Sequence, residues 1–351
     1  MLASHSVTLG KERTMERRTL GRTGLVVSAL GFGTWPMGGD RYGAIEDAEA
    51  IRAIHRALDE GVNCVDTAPA YGSGHAEEVV GQALVGRRDQ VILVTKCGIA
   101  QDPETKAYRR DISRANILRE VEVSLGRLRT DVIDVYLIHW PTESTPFEEA
   151  FRTMDDLVRA GKIRFVGASN FTVEQMERCR AVRPFDVLQV GYHLFDRRME
   201  HEVLPYCERH GIGVMGYGSL AHGLLTGTFT AETRFDSAPD WRASGIIFGQ
   251  PIFTTENLKK NVAVVERLAR EVGAPRGVPV SQIALAWVLR NPAISVALVG
   301  ARTPAEVEQN LIGAGLRLTD AEAEKIDEIM RGAAGTIRAF TPLRNALVQW
   351  E

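Results

Sequence analysis

The chain has 351 residues, of which 44% are hydrophobic and 25% charged, and its formal net charge is −3. These are ordinary values for a globular protein, and the small negative charge leaves no electrostatic footprint for nucleic acid or an anionic membrane. No apolar run approaches the ~20 residues of a membrane span. The four cysteines, Cys64, Cys97, Cys179 and Cys207, form no Cys-x-x-Cys pair. Their spacing excludes a zinc ribbon or a redox dithiol, and it predicts reduced thiols in a cytoplasmic protein.

Residues 1–14 lack the apolar core of a secretory signal. Met15 reads as a natural start, so residues 1–14 are expected to be a disordered extension and residues 15–351 a single domain. Thr19 to Gly24 then reads as a turn between two short strands, a hairpin able to close the bottom of a barrel.

Short apolar runs follow at 26–30, 62–65, 91–94, 132–138, 163–166, 187–190, 212–215 and 295–299. Most are rich in β-branched residues, as expected of strands buried on both faces. Amphipathic stretches separate them, such as 48–60, with Ile51, Ile54 and Leu58 at helical spacing, and 115–128, with Leu118, Val121 and Leu125 on one face. Capping-box patterns mark helix starts at Thr145–Glu148, Thr172–Gln175, Thr303–Glu306 and Thr319–Glu322.

Eight strand–helix units predict a (β/α)8 TIM barrel with the N-terminal hairpin beneath it. A doubly wound open sheet is the rival. It requires a glycine-rich turn after the first strand, but Gly31-Phe32-Gly33-Thr34-Trp35-Pro36 places proline where the third glycine belongs.

In a barrel, function gathers at the C-terminal ends of the strands. The second strand ends near Asp66 and Tyr71, the third at Lys96 and the fourth at His139. Singly, each has a structural explanation: a turn former, a wall or a core histidine. Together they match one task, protonation of a carbonyl during hydride transfer. A free tyrosine, with a pKa of about 10, is a poor acid at neutral pH. An adjacent ammonium is expected to lower that pKa, a carboxylate holds the ammonium in place, and an imidazole orients the substrate oxygen. General acid help of this kind contributes roughly 10²–10⁴-fold. No residues stand at metal-ligand spacing, so no metal is expected.

The phrases Val65-Asp66-Thr67-Ala68-x-x-Tyr71-Gly72, Val94-Thr95-Lys96 and Ile138-His139-Trp140-Pro141 resemble the aldo-keto reductase superfamily, in particular its bacterial, potassium-channel β-subunit-like branch. The resemblance runs from about Met15 to the C-terminal region. It implies that Asp66, Tyr71, Lys96 and His139 are the catalytic tetrad and that NADPH/NADP+ is the cofactor. It further implies a nicotinamide site of Ser169, Asn170 and Gln189, with Tyr217 stacked on the ring, beside Gly33, Thr34 and Trp35. Gly218, Ser219, Leu220, Gly223 and Leu225 resemble the loop that covers the pyrophosphate, although Ala221 and His222 depart from the glycine and arginine frequent there.

After the last strand, Gly300, Arg302, Gln309 and Asn310 resemble the adenosine 2′-phosphate and adenine site. Glu306 stands where many relatives carry arginine or glutamine. Trp35, Trp140, Tyr192 and Trp241 are expected to wall the substrate pocket, with the irregular stretch 235–253 as a lid. The reaction this implies is reduction of a small carbonyl substrate. Oxidation of an alcohol or sugar with NAD(P)+, or a cofactor-sensing binding module, are the alternatives.

Overall fold

Val, Ile and Leu crowd the apolar runs because their side chains are covered from both sides, as in Ile133–Ile138, where all six residues are buried. The computed structural model describes residues 15–39, 41–101, 104–105, 107–236, 240–312 and 315–338. The extension expected over 1–14 and the end of the chain after 338 lie outside them.

Strands β1 (Arg17–Thr19) and β2 (Val26–Ser28) pair antiparallel as the expected hairpin. The barrel strands are β3 (Leu30–Gly33), β4 (Cys64–Asp66) and β5 (Ile92–Cys97). A second hairpin, β6 (Ile99–Gln101) with β7 (Tyr108–Arg110), interrupts them. The barrel resumes with β8 (Ile133–Ile138), β9 (Ile163–Ser169), β10 (Val187–Gly191), β11 (Gly213–Tyr217) and β12 (Ile294–Gly300). The eight barrel strands are all parallel and close on themselves, with β12 pairing β3. This is a (β/α)8 barrel, with helices such as Asp47–Asp59, Arg114–Leu128 and Phe147–Arg159 around it.

The N-terminal hairpin plugs the barrel's bottom. Leu20, fully buried, packs with Cys64, Val94, Val187 and Met215 inside the barrel. Arg18 donates to the carbonyls of Leu289 (2.8 Å) and Ile294 (2.7 Å), and the Arg22 amide donates to Gly211 O. The barrel is thereby sealed at one end and open for chemistry at the other. Among the described residues, no helix is long and apolar enough to cross a membrane.

Two local expectations are corrected. The run 26–30 is two elements, because Ser28 Oγ donates to Leu30 O while the Ser28 amide is taken by Asn63 Oδ1, turning the chain out of the hairpin and into the barrel. The helix after Thr145 begins at Phe147, with Pro146 at the cap position and no side-chain cap bond. Glu148, the expected partner of the box, is paired with Arg178 instead. The boxes at Thr172 and Thr319 form as expected.

Candidate active site

The open end of the barrel holds a cavity of about 400 Å³. Parallel strands deliver their last residues to this face, so Asp66 at the end of β4, Lys96 in β5 and His139 just after β8 meet there despite their sequence separation. Tyr71 comes from the turn after β4. Gly72 and Ser73 in that turn both have positive φ, and a Cβ on Gly72 would lie 2.2 Å from Gly38 O. Only glycine lets the 71–74 turn press against the 35–38 turn and so fix the tyrosine.

Lys96 is fully buried, and its Nζ donates to Asp66 Oδ1 (2.9 Å), Asp66 Oδ2 (2.8 Å), Thr67 O (2.8 Å) and Tyr71 OH (3.2 Å). A buried ammonium survives only with partners of this kind. Across the barrel, Gln189 Nε2 donates to Asp66 Oδ1 at 2.7 Å. The His139 amide donates to Cys97 O, and its ring meets the Tyr71 ring edge-on at 5.7 Å.

The electrostatics correct one expectation. Burial, and then the Asp66 charge, hold the Tyr71 phenol well above its ordinary pKa. The ammonium does not bring it down, because Lys96 Nζ is held by Asp66 and Thr67 O, while burial and the Asp66 carboxylate both disfavour a phenolate. Tyr71 therefore stays protonated, which is the state an acid requires, with Lys96 3.2 Å away to receive the phenolate. Burial pulls Lys96 down against the pull of Asp66. Burial first, and Lys96 second, push His139 well below its ordinary value, so its ring is neutral.

The predicted cofactor residues mostly share this cavity. Ser169, Asn170, Gln189 and Tyr217 line the end that holds Asp66 and Tyr71. They are linked to one another: Ser169 Oγ donates to Gln189 O (2.9 Å), Asn170 Nδ2 to Ser169 Oγ (3.0 Å), and Tyr217 OH to Asn170 Oδ1 (2.8 Å). Gly33, Trp35, Gly218, Ser219, Leu220 and Gly223 line its middle. Gly300, Arg302, Gln309 and Asn310 line the far end, beside the start of the Pro304–Ile312 helix. The set fits a nicotinamide dinucleotide: amide and hydroxyl groups beside a tyrosine ring at one end, and a helix N-terminus with an arginine at the other.

Four residues lie outside the cavity's lining. Thr34 and Leu225 are fully buried, with Thr34 Oγ1 donating to Asp66 O. Tyr192 is turned away from the cavity. Its ring stacks on Trp287 at 5.1 Å, and its hydroxyl donates to Glu200 and accepts from Asn291. Trp241 stands one layer back, packed on Trp35 at 4.6 Å, while Trp140 lines the cavity.

Sequence reasoning missed Tyr42, His222, Phe229, Arg242 and Phe248, which also line it. Arg242 pairs with Asp240 and lies over the rings of Tyr42, Phe229 and Phe235 at 5.3, 5.3 and 4.7 Å. The aromatic density of 229–253 was the available signal, and turn geometry chose which rings face inward.

The sequence pattern of the aldo/keto reductase family matches residues 29–331. The chain is 41% identical to the aldo-keto reductase YhdN of Bacillus subtilis (strain 168), over 90% of this chain and 94% of that protein. It is 33% identical to the NADH-specific methylglyoxal reductase of Escherichia coli (strain K12), over 90% and 98%. The solved structure of the glycerol dehydrogenase AKR11B4 from Gluconobacter oxydans superposes with a TM-score of 0.81 at 38% identity, covering 90% of this chain and 94% of that one. The chain belongs to the aldo/keto reductase family, whose members are oxidoreductases acting with nicotinamide cofactors on small carbonyl substrates.

Proposed function

We propose that this protein reduces an aldehyde or ketone to an alcohol, with Tyr71 as the general acid. One observation carries the reading: Lys96 Nζ bridges Asp66 and Tyr71 OH at the cavity wall, with His139 beside them. When bound, the nicotinamide supplies a hydride to the carbonyl carbon. Neutral His139 and the Tyr71 hydroxyl direct the carbonyl oxygen, Tyr71 gives it a proton, and Lys96 stabilises the phenolate left behind. Asp66 keeps Lys96 charged, and Gln189 steadies Asp66. In the opposite direction the same phenolate takes a proton from an alcohol, which is the second reading, and the glycerol dehydrogenase likeness favours it. The four cysteines are free and buried, which supports a cytoplasmic setting.

NADPH is the form we favour, although Arg302 Nη2 pairs with Glu306 Oε1 at 2.9 Å and Glu306 Oε2 takes the Arg302 amide at 2.7 Å. Charge supports this reading. The Arg302–Glu306 pair is exposed and worth only about 0.3–0.5 kcal/mol, and a 2′-phosphate offers the same guanidinium more negative charge and more acceptor oxygens than one carboxylate. The NADH reading rests on Glu306 and on the NADH-specific relative. Loss of NADPH and NADH absorbance with a panel of aldehydes, ketones and sugars, alongside NADP+ and NAD+ with alcohols, tests all of these readings. Tight cofactor binding without turnover of any of these substrates would refute an enzyme.

A further inference from the structure

Within the irregular stretch after β11, Ile247 and Gln250 exchange both backbone hydrogen bonds at 2.8 Å. The two residues between them, Phe248 and Gly249, both have positive φ, 46° and 78°. A two-residue turn with both centres left-handed takes Asn-Gly most readily. Phenylalanine is a poor choice in its first position, because a bulky side chain strains the left-handed backbone. Strain of this kind persists where the surroundings fix it, and it gathers at functional sites.

The surroundings do fix it. Arg198 is 1% exposed and bidentate to Asp196, with both bonds at 2.7 Å, and its Nη2 donates to Phe248 O at 3.4 Å. Gln250, equally buried, donates from Nε2 to Phe195 O at 2.8 Å. The turn is thus bolted to the segment that follows β10.

Its product is a ring in the cavity. Phe248 lies 5.8 Å from Trp140, 6.1 Å from Trp35, 5.3 Å from Trp241 and 5.7 Å from Tyr217. These are contact distances for aromatic pairs, so no further ring fits between them. Trp35 stacks on Tyr71, and Trp140 directly follows His139. Phe248 therefore joins the walls on both sides of the proposed acid and its partner.

We propose that Phe248 is the specificity-determining residue that limits the carbonyl substrate to a small substituent, an inference that rests on the carbonyl-reduction reading above. Short-chain aldehydes and ketones fit beneath the ring, and aryl substituents meet it.

Methylglyoxal and phenylglyoxal test this, because they carry the same reacting 2-oxoaldehyde and differ only in methyl against phenyl. Wild type is expected to favour methylglyoxal in kcat/KM. Phe248→Ala should raise the phenylglyoxal-to-methylglyoxal ratio at least tenfold, and Phe248→Trp should lower it. NADPH affinity, followed by fluorescence quenching, should stay within about twofold in both variants. A merely structural role would not move the ratio in opposite directions. An unmoved ratio, or a loss equal for both substrates, overturns this inference alone. Absence of NADPH-dependent turnover of any carbonyl by wild type overturns the functional reading and this inference with it.

Discussion

The two ends of the cavity handle charge differently. At the proposed catalytic end, Asp66, Tyr71, Lys96 and His139 are all under 9% exposed, and Lys96 alone makes four hydrogen bonds. At the far end, the side chains of Arg302 and Glu306 are 52% and 35% exposed and satisfy one another. The first end is assembled by the fold before any ligand arrives, and breaking a buried pair there leaves a charge without water. The second is a solvated switch whose partners exchange at little cost. On the proposed function, chemistry is fixed where reorganisation would be expensive, and the proposed choice of cofactor is left where single substitutions can adjust it.

The sharpest way to break this contrast is Tyr71→Phe. Loss of the proton donor should lower kcat roughly 10²–10⁴-fold. NADPH affinity should hardly change, because among the described residues the phenol's hydrogen bond is to Lys96. Turnover and cofactor quenching measured on one preparation check both halves. Retention of more than about a tenth of wild-type kcat is too much for a lost general acid.

Much of this was legible in the sequence. The meeting of Asp66, Tyr71, Lys96 and His139 could be read because a parallel barrel sends every strand end to one face, so four separated positions converge. Tyr192 misled, since it too follows a strand end, but its side chain points back to Trp287 and Glu200. Phe248 was invisible for the opposite reason. It lies in no regular element, and its direction depends on a left-handed turn held by Arg198 from a distant segment. The tyrosine's electrostatics also escaped, because a nearby lysine suggests a lowered pKa until its pairing with Asp66 and its burial are seen.

Glu120 sharpens the comparison, because it is a carboxylate treated as the catalytic end treats charge. Its Oε2 accepts the Gly98 amide at 2.6 Å, just beyond Lys96, and burial raises its pKa from 4.5 to about 7. A folded pKa above the unfolded value means that stability is full below about pH 4.5 and is lost as pH climbs through 7. The full loss amounts to roughly 3 kcal/mol, of which about 2–3 kcal/mol falls above pH 5. Glu120→Gln cannot ionise, so its stability relative to wild type should rise by about that much between pH 5 and pH 8.5. Denaturant titrations at the two pH values give the difference directly. An unchanged difference would mean that the carboxylate titrates normally despite its burial.

At the exposed end the effects should be smaller. Arg302→Ala should weaken NADPH by roughly 10-fold or somewhat more, the size of a lost charge-assisted contact. NADH should hardly notice, since a ribose hydroxyl gains little from a guanidinium. Equal losses for both cofactors would remove the phosphate role.

Glu306→Gln is the finest cut. The substitution keeps an oxygen able to accept the Arg302 amide, as Glu306 Oε2 now does. It removes the charge that competes for the guanidinium and repels a phosphate dianion. An exposed pair of this kind is worth about 0.3–0.5 kcal/mol, and repulsion of the dianion adds a similar amount. NADPH affinity should therefore rise by roughly two- to fivefold. NADH affinity should stay put, because its adenosine ribose carries no charge at that position. The gain should shrink as salt is added, since the groups are exposed and the Debye length is only about 8 Å at 0.15 M. Paired titrations of both cofactors at low and high salt decide it. A gain shared by NADH, or one indifferent to salt, would show that Glu306 acts through the helix start rather than through its charge.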